Sequence, residues 1–136
     1  MVKEYYRPES LGEALDLLAR PGALALAGGT YALAFEARDK PERVVDLASV
    51  LPRAVEAKGG ALSIGAGATF QELIESEAIP SAIKAAAATM ANRNTRNRAT
   101  VGGNLGANKS CSSLAPVLLA LGASATIAER GKAPAT

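Results

Sequence analysis

Residues 23–30 read Ala23-Leu24-Ala25-Leu26-Ala27-Gly28-Gly29-Thr30, a continuous apolar run that stops on a glycine pair and a hydroxyl. An apolar run this short, bounded by glycines, has the pattern of a strand buried on both faces. The glycines then bring bare backbone N–H groups to the strand's end, where the chain restarts at residues 31–36 as a helical turn. Residues 99–104, Ala99-Thr100-Val101-Gly102-Gly103-Asn104, repeat the idea as a second glycine-pair loop behind a basic stretch. Backbone recognition of phosphate needs glycine, because a side chain blocks close approach, and it gains from a neighbouring helix start. Each pair taken singly is also the signature of a tight turn.

Working outward from that stretch, Tyr5 and Tyr6 form a short strand halted by Pro8. Ser10 and Glu13 form a capping box, and Leu11, Ala14, Leu15 and Leu18 make one apolar helical stripe that Pro21-Gly22 ends. Downstream of a loop at residues 39–41, Arg43-Val44-Val45-Asp46-Leu47 reads as a strand. Residues 54–58 and 61–66 flank Gly59-Gly60 as a hairpin. Thr69 and Glu72 open a second capped helix with Phe70, Leu73 and Ile74 facing the core. Residues 81–90, with four consecutive alanines, form a third helix. Residues 92–98 are polar and nonperiodic, which predicts a loop. Ser112 or Ser113 caps a last helix with the stripe Leu114, Val117, Leu118 and Leu121, stopped by Gly122. Residues 124–128 read as a final strand, and residues 129–136 as a loop or frayed end. No linker divides the chain. The elements predict an α+β or α/β domain.

Composition excludes several chemistries. The 136 residues are 49% hydrophobic and 21% charged, with a net charge of +2, too little to draw nucleic acid or membrane by charge alone. Histidine is absent, which removes imidazole bases and His-ligated metals within this chain. Cys111 stands alone and cannot form an internal disulfide, a thiolate zinc site or a Cys–His nucleophile, so an ordinary reduced thiol is expected. The N-terminus lacks a signal-like apolar region and no run is long enough to span a membrane, which with the lone cysteine predicts a cytoplasmic setting.

Familiar fingerprints fail. Gly65-Ala66-Gly67-Ala68-Thr69-Phe70 ends on Phe70 where the dinucleotide motif requires Gly or Ala. Gly131-Lys132 lacks the hydroxyl residue of a phosphate-binding loop. Arg93, Arg96 and Arg98 have the chemistry to pair with phosphates or a partner's carboxylates, or to sit in a solvated loop. A nucleic-acid role lacks interleaved aromatics and a wider basic face.

The order of the pieces resembles a family. Tyr6-x-Pro8, Ala14-Leu15-x-Leu17-Leu18, Leu26-Ala27-Gly28-Gly29-Thr30, Val45-Asp46-Leu47, Ile64-Gly65-Ala66 and Arg96-Asn97-Arg98-Ala99-Thr100-Val101-Gly102-Gly103-Asn104-Leu105 look like the FAD-binding (medium) subunit of molybdenum hydroxylases, the xanthine dehydrogenase and carbon monoxide dehydrogenase type. The resemblance runs from about Tyr6 to about Thr126. It implies an α+β chain of α/β subdomains, the N-terminal portion of a PCMH-type, vanillyl-alcohol-oxidase-like FAD-binding domain. The expectation is one FAD-binding domain over residues 1–136, incomplete at its C-terminus, with a first small subdomain over 1–52 and the start of a second over 53–136.

By the same resemblance, Ala27, Gly28, Gly29, Thr30 and Tyr31 would form the first FAD loop, around the pyrophosphate. Thr100, Val101, Gly102, Gly103 and Asn104 would form the second, with Ser112 and Ser113 where the family has a Ser-Asp pair. Tyr31 and Ser113 each replace an acidic residue of the family pattern. No catalytic or metal-binding residue is implied. The function implied is that of a flavin-dependent oxidoreductase subunit, not catalytically complete alone, passing electrons from iron–sulfur clusters through FAD to an acceptor such as NAD. The implied partners are a molybdopterin-binding large subunit and a [2Fe–2S] small subunit, with room for a homo-oligomer and no role for nucleic acid. The alternative is a non-catalytic structural or assembly module that kept the fold and lost FAD.

Overall fold

The computed structural model describes residues 2–33 and 41–136. A three-stranded parallel sheet comprises β1 (Glu4–Tyr6), β2 (Ala23–Leu26) and β3 (Arg43–Asp46) in the order β1-β3-β2. The middle position goes to β3, whose Val44 and Val45 are 2% and 0% exposed. The expectation that residues 23–27 are buried on both faces is therefore corrected: β2 is an edge strand, and none of its residues is fully buried. An apolar Ala-Leu run does not reveal its place in a sheet, whereas the β-branched pair of β3 fills both faces at the centre.

Helix α1 (Leu11–Leu18) crosses from β1 to β2 and packs on β2 and β3. Ser10 Oγ accepts from the Glu13 N–H at 3.1 Å, and the Glu13 carboxylate accepts from the Glu9 N–H at 2.8 Å, so the cap closes one residue earlier than the standard box. Ala14 and Leu17 are buried while Leu11 is exposed, which turns the apolar stripe slightly from the expected one. At the strand starts, the Arg43 guanidinium donates to Glu4 Oε2 (2.6 Å) and Pro21 O (2.8 Å), tying the sheet together. Hydrogen bonds from the Tyr6 hydroxyl and from Arg43 hold the Glu4 carboxyl below the usual carboxylate range.

Strands β4 (Val55–Lys58) and β5 (Ala61–Ile64) form the expected hairpin, with Lys58 opposite Ala61. Gly59 and Gly60 have φ of +60° and +80°, the pair of left-handed residues that a two-residue turn of matching twist requires. Helix α2 (Phe70–Glu75) follows with a complete capping box at Thr69 and Glu72, and α3 (Ser81–Ala88) packs on it through Ile83, Ala86 and Ala87. Alanine on that face lets α2 and α6 (Leu114–Ala120) pack close on α3. Phe70, Leu73, Ile83 and Leu114 make the centre of this core, with Leu62 and Ile64 of the hairpin against it.

Three expectations are corrected between and after these elements. The loop expected at residues 92–98 contains a one-turn helix, α4 (Arg93–Arg96), because the Asn92 side chain accepts from the Thr95 N–H at 3.0 Å and caps it. The loop expected at Thr100–Asn104 is the first turn of helix α5 (Val101–Ala107), capped by Thr100. The final strand expected at residues 124–128 is a single antiparallel bridge between Ile127 and Ala135, because among the described residues no neighbouring strand lies there to extend the pairing. In the helical turn expected at residues 31–36, Leu33 N–H donates to Gly29 O at 3.2 Å. Residues 34–36, and Asp39 and Lys40 of the expected loop, lie outside the described residues.

Two consequences are measurable. Phe70 is fully buried, so Phe70→Ala should lower stability by about 3–5 kcal/mol in chemical denaturation, against less than about 0.5 kcal/mol for exposed Glu56→Ala. At Glu72, burial works to raise the carboxyl, but the Thr69 N–H, Arg53 at 2.6 Å and the Thr69 hydroxyl outweigh it and hold the group below its ordinary value. A depressed folded-state pKa means that its contribution to stability is complete above the unfolded carboxylate range, about pH 4–5, and is lost as pH falls toward the folded value. Glu72→Gln should therefore flatten the acid limb of the stability–pH curve. An unchanged acid limb would contradict that role.

Candidate functional site

The two glycine pairs of the sequence meet different fates. At the end of β2, the ladder with β3 closes with Leu47 N–H donating to Leu26 O at 2.7 Å. Beyond it, the N–H groups of Gly28, Gly29, Thr30 and Tyr31 donate to no described residue. With no acceptor among the described residues, these four amides are able to donate to a ligand or to water.

This loop is held from beneath. A Cβ on Gly28 would lie 1.7 Å from the Arg98 carbonyl oxygen and 3.2 Å from Ala99 Cα, so only glycine lets the loop lie on that peptide. The Arg98 guanidinium then reaches back, its Nε donating to Gly28 O at 3.2 Å. Two open clefts flank the loop. One, of about 190 Å³, includes Gly28, Leu51, Arg53, Thr69, Arg98 and Thr100 in its walls; the other, of about 430 Å³, is lined by Gly29, Thr30, Leu33, Asn92, Asn94, Thr95 and Arg98. Among the described residues neither lining contains a carboxylate, and both contain arginine.

The second pair is engaged. Val101 N–H donates to Ala68 O (2.9 Å), Gly102 N–H to Ala66 O (2.8 Å), Gly103 N–H to Thr100 Oγ1 (3.1 Å) and Asn104 N–H to Thr100 O (2.9 Å). These bonds zip residues 100–102 to residues 66–69, with Thr69 and Thr100 paired as a bridge. A Cβ on Gly102 would lie 2.9 Å from that of Ala66, so this glycine serves packing between the two segments. The loop expected at Gly102-Gly103 is thus a helix start whose first amides already have partners within the chain.

The remaining sequence-predicted residues are placed as follows. Ala27 and Thr100 line the first cleft. Val101 is 5% exposed and belongs to the core. Tyr31 is exposed, with the Lys109 ammonium 4.5 Å from its ring centre. Ser112 Oγ donates to Asn104 Oδ1 at 2.6 Å and accepts from the Ala115 N–H at 3.2 Å, so Ser112 supplies the cap of α6, while Ser113 Oγ donates to Ala86 O at 3.0 Å. Both serines face structural partners.

The basic run divides three ways. Arg93 pairs with Glu75 at 2.8 Å, and Arg96 donates to Gln71 Oε1 and to the carbonyls of Met90 and Ala91, holding the left-handed turn at Ala91. Arg98 alone of the three lines the clefts. Sequence reading missed Leu51, Arg53, Thr69, Asn92 and Asn94 as cleft residues; the Asn92 cap was the one local signal available. Among the described residues, no group of three His, Cys, Asp or Glu side chains gathers to hold a metal, and no helix is long and apolar enough to cross a membrane.

An open site whose described residues offer unpartnered amides, arginines and hydroxyls and no carboxylate fits a diphosphate, and so fits the pyrophosphate of a flavin or adenine dinucleotide. Comparison with known proteins points the same way. Residues 1–135 match the family model described as the FAD binding domain in molybdopterin dehydrogenase. The uncharacterized protein YgfM of Escherichia coli K12 is 35% identical over 125 residues, 90% of this chain and 48% of that protein. The xanthine dehydrogenase FAD-binding subunit of Escherichia coli O157:H7 is 38% identical over 110 residues, 74% of this chain and 37% of that protein. Among solved structures, the carbon monoxide dehydrogenase of Hydrogenophaga pseudoflava superposes with a TM-score of 0.70 at 32% identity, over 77% of this chain and 39% of that one. The chain spans about half the length, or less, of the curated relatives it matches.

The docking of the first loop gives a direct test. Gly28→Ala should destabilise the chain by about 2–3 kcal/mol, since the overlap is with backbone that cannot swing away. Gly12→Ala, on helix α1 with nothing near its Cβ, should leave stability equal or raise it by about 0.5–1 kcal/mol. Equal denaturation midpoints for wild type and Gly28→Ala would show that the loop does not rest on the Arg98 peptide.

Proposed function

The chain belongs to the family of FAD-binding domains in molybdopterin dehydrogenases, and from that premise we propose that it carries FAD in an oxidoreductase of the xanthine and carbon monoxide dehydrogenase type. The observation that carries this reading is the row of four amides, from Gly28 to Tyr31, that no described residue accepts from, set between two clefts whose described lining residues include arginine and no carboxylate.

In this reading Ala27, Gly28, Gly29, Thr30 and Tyr31 hold the cofactor's pyrophosphate by backbone N–H groups. Their charge-assisted hydrogen bonds cost little reorganisation, because the loop is already docked on the Arg98 peptide. The second segment acts differently from the first: Thr100, Gly102, Gly103 and Asn104 wall the cofactor instead of chelating it, while Val101, Ser112 and Ser113 fix that wall to the core. Bound FAD supplies the electron transfer, and the residues here supply placement and electrostatics. The division at residues 52 and 53 separates the sheet that presents the first loop from the hairpin and helices that present the wall. Partners that carry molybdopterin and [2Fe–2S] centres, an acceptor such as NAD, and a cytoplasmic setting complete the proposal.

Affinity should follow the diphosphate. The 136-residue chain is expected to bind ADP and FAD within a few-fold of each other by calorimetry, and adenosine at least roughly tenfold more weakly, because adenosine lacks the charge-assisted bonds to the loop. Equal binding of adenosine and ADP, or no binding of ADP or FAD at millimolar concentration, would overturn the assignment.

A further inference from the structure

We propose that Arg98 is the charged arm of the diphosphate site, closing over an anion seated on the amides of Gly28, Gly29, Thr30 and Tyr31. The inference rests on the reading of that loop as a phosphate cradle and names a residue toward the same ligand.

Five observations converge on Arg98. It lines both clefts, and Gly28 borders one and Gly29 the other. Its backbone is the floor on which the loop lies, so close that a Cβ on Gly28 would come within 1.7 Å of the Arg98 carbonyl oxygen. Its Nε donates to Gly28 O at 3.2 Å, and one Nη lies 3.6 Å from where a Cβ on Gly29 would sit, so the guanidinium runs alongside the glycine pair. The neighbouring arginines are committed elsewhere: Arg53 to Glu72 at 2.6 Å, Arg93 to Glu75 at 2.8 Å, and Arg96 to Gln71. Arg98 has no carboxylate partner among the described residues.

A guanidinium carries five N–H donors, and the bond to Gly28 O uses one. Four remain on a planar fork whose geometry matches the paired oxygens of a phosphate. The Nε bond anchors the side chain against its own loop, so little further ordering is needed when an anion arrives. Backbone amides and a guanidinium together give a diphosphate both direction and countercharge, and the Glu72 carboxylate behind the first cleft is already engaged by Arg53 and Thr69.

The test uses the full 136-residue chain, inorganic pyrophosphate as the probe, and amide chemical shifts as the readout. In the unsubstituted chain, pyrophosphate should shift the amides of Gly28, Gly29, Thr30 and Tyr31. Arg98→Gln should weaken that binding about tenfold or more, and Arg98→Lys should recover part of it, since the charge returns without the fork. Added salt should weaken binding to the unsubstituted chain more steeply than to Arg98→Gln. Arg98→Gln binding pyrophosphate as tightly as the unsubstituted chain would overturn the role of Arg98 while leaving the loop assignment intact. Arg98→Lys matching Arg98→Gln, with the loop amides displaced in both free proteins, would make Arg98 a latch for the loop and overturn its role toward the ligand. No shift at the four amides in the unsubstituted chain would overturn the cradle reading, and the inference with it.

Discussion

The site depends on one backbone contact, the seating of Gly28 on the Arg98–Ala99 peptide seventy positions further along the chain. A parallel sheet edge by itself ends in a free strand terminus whose loop has many conformations. Contact with the peptide ahead of α5 removes that freedom, and it leaves the N–H groups of residues 28–31 without an acceptor among the described residues. Val101 N–H to Ala68 O and Gly102 N–H to Ala66 O hold the next residues of the same segment to the front of α2. The core around Phe70, Leu73 and Leu114 thereby positions a loop that belongs to a different sheet.

The two glycine pairs look alike in sequence and differ in structure because of what each rests against. Gly28-Gly29 lies at the end of an edge strand, where the ladder stops and the described residues offer no further acceptors. Gly102-Gly103 follows a hydroxyl that caps a helix and a stretch that pairs with residues 66–69, so its amides find acceptors within the fold. Glycine at position 102 therefore answers a packing demand from Ala66, while glycine at position 28 answers one from Arg98 and leaves the neighbouring amides available. In the proposed function the first is the cradle and the second the wall.

Much of the fold is legible locally. The capping residues Ser10 and Thr69, the Gly59-Gly60 turn and the alanine run of α3 each act through neighbours within a few positions, so their spacing alone discloses them. Strand position does not work that way. Leu24 and Leu26 look as buried as Val44 and Val45, and only the pairing order separates an edge from a centre. The helix start at Thr100 escaped for a related reason: two glycines weaken helix propensity, and the bonds from Val101 and Gly102 to residues 66–68 that stabilise it come from distant sequence. The order of the motifs identified the family, while the distinct roles of Arg93, Arg96 and Arg98 rest on contacts that no spacing encodes.

The asymmetry between the two glycine segments is the central claim, and hydrogen exchange of individual amides with and without FAD tests it most directly. Amides of residues 101–104 already have partners and should exchange slowly in both states, whereas those of residues 28–31 should exchange fast in the free chain and become protected when FAD binds. Protection gained at residues 101–104, with residues 28–31 unchanged, would contradict the account.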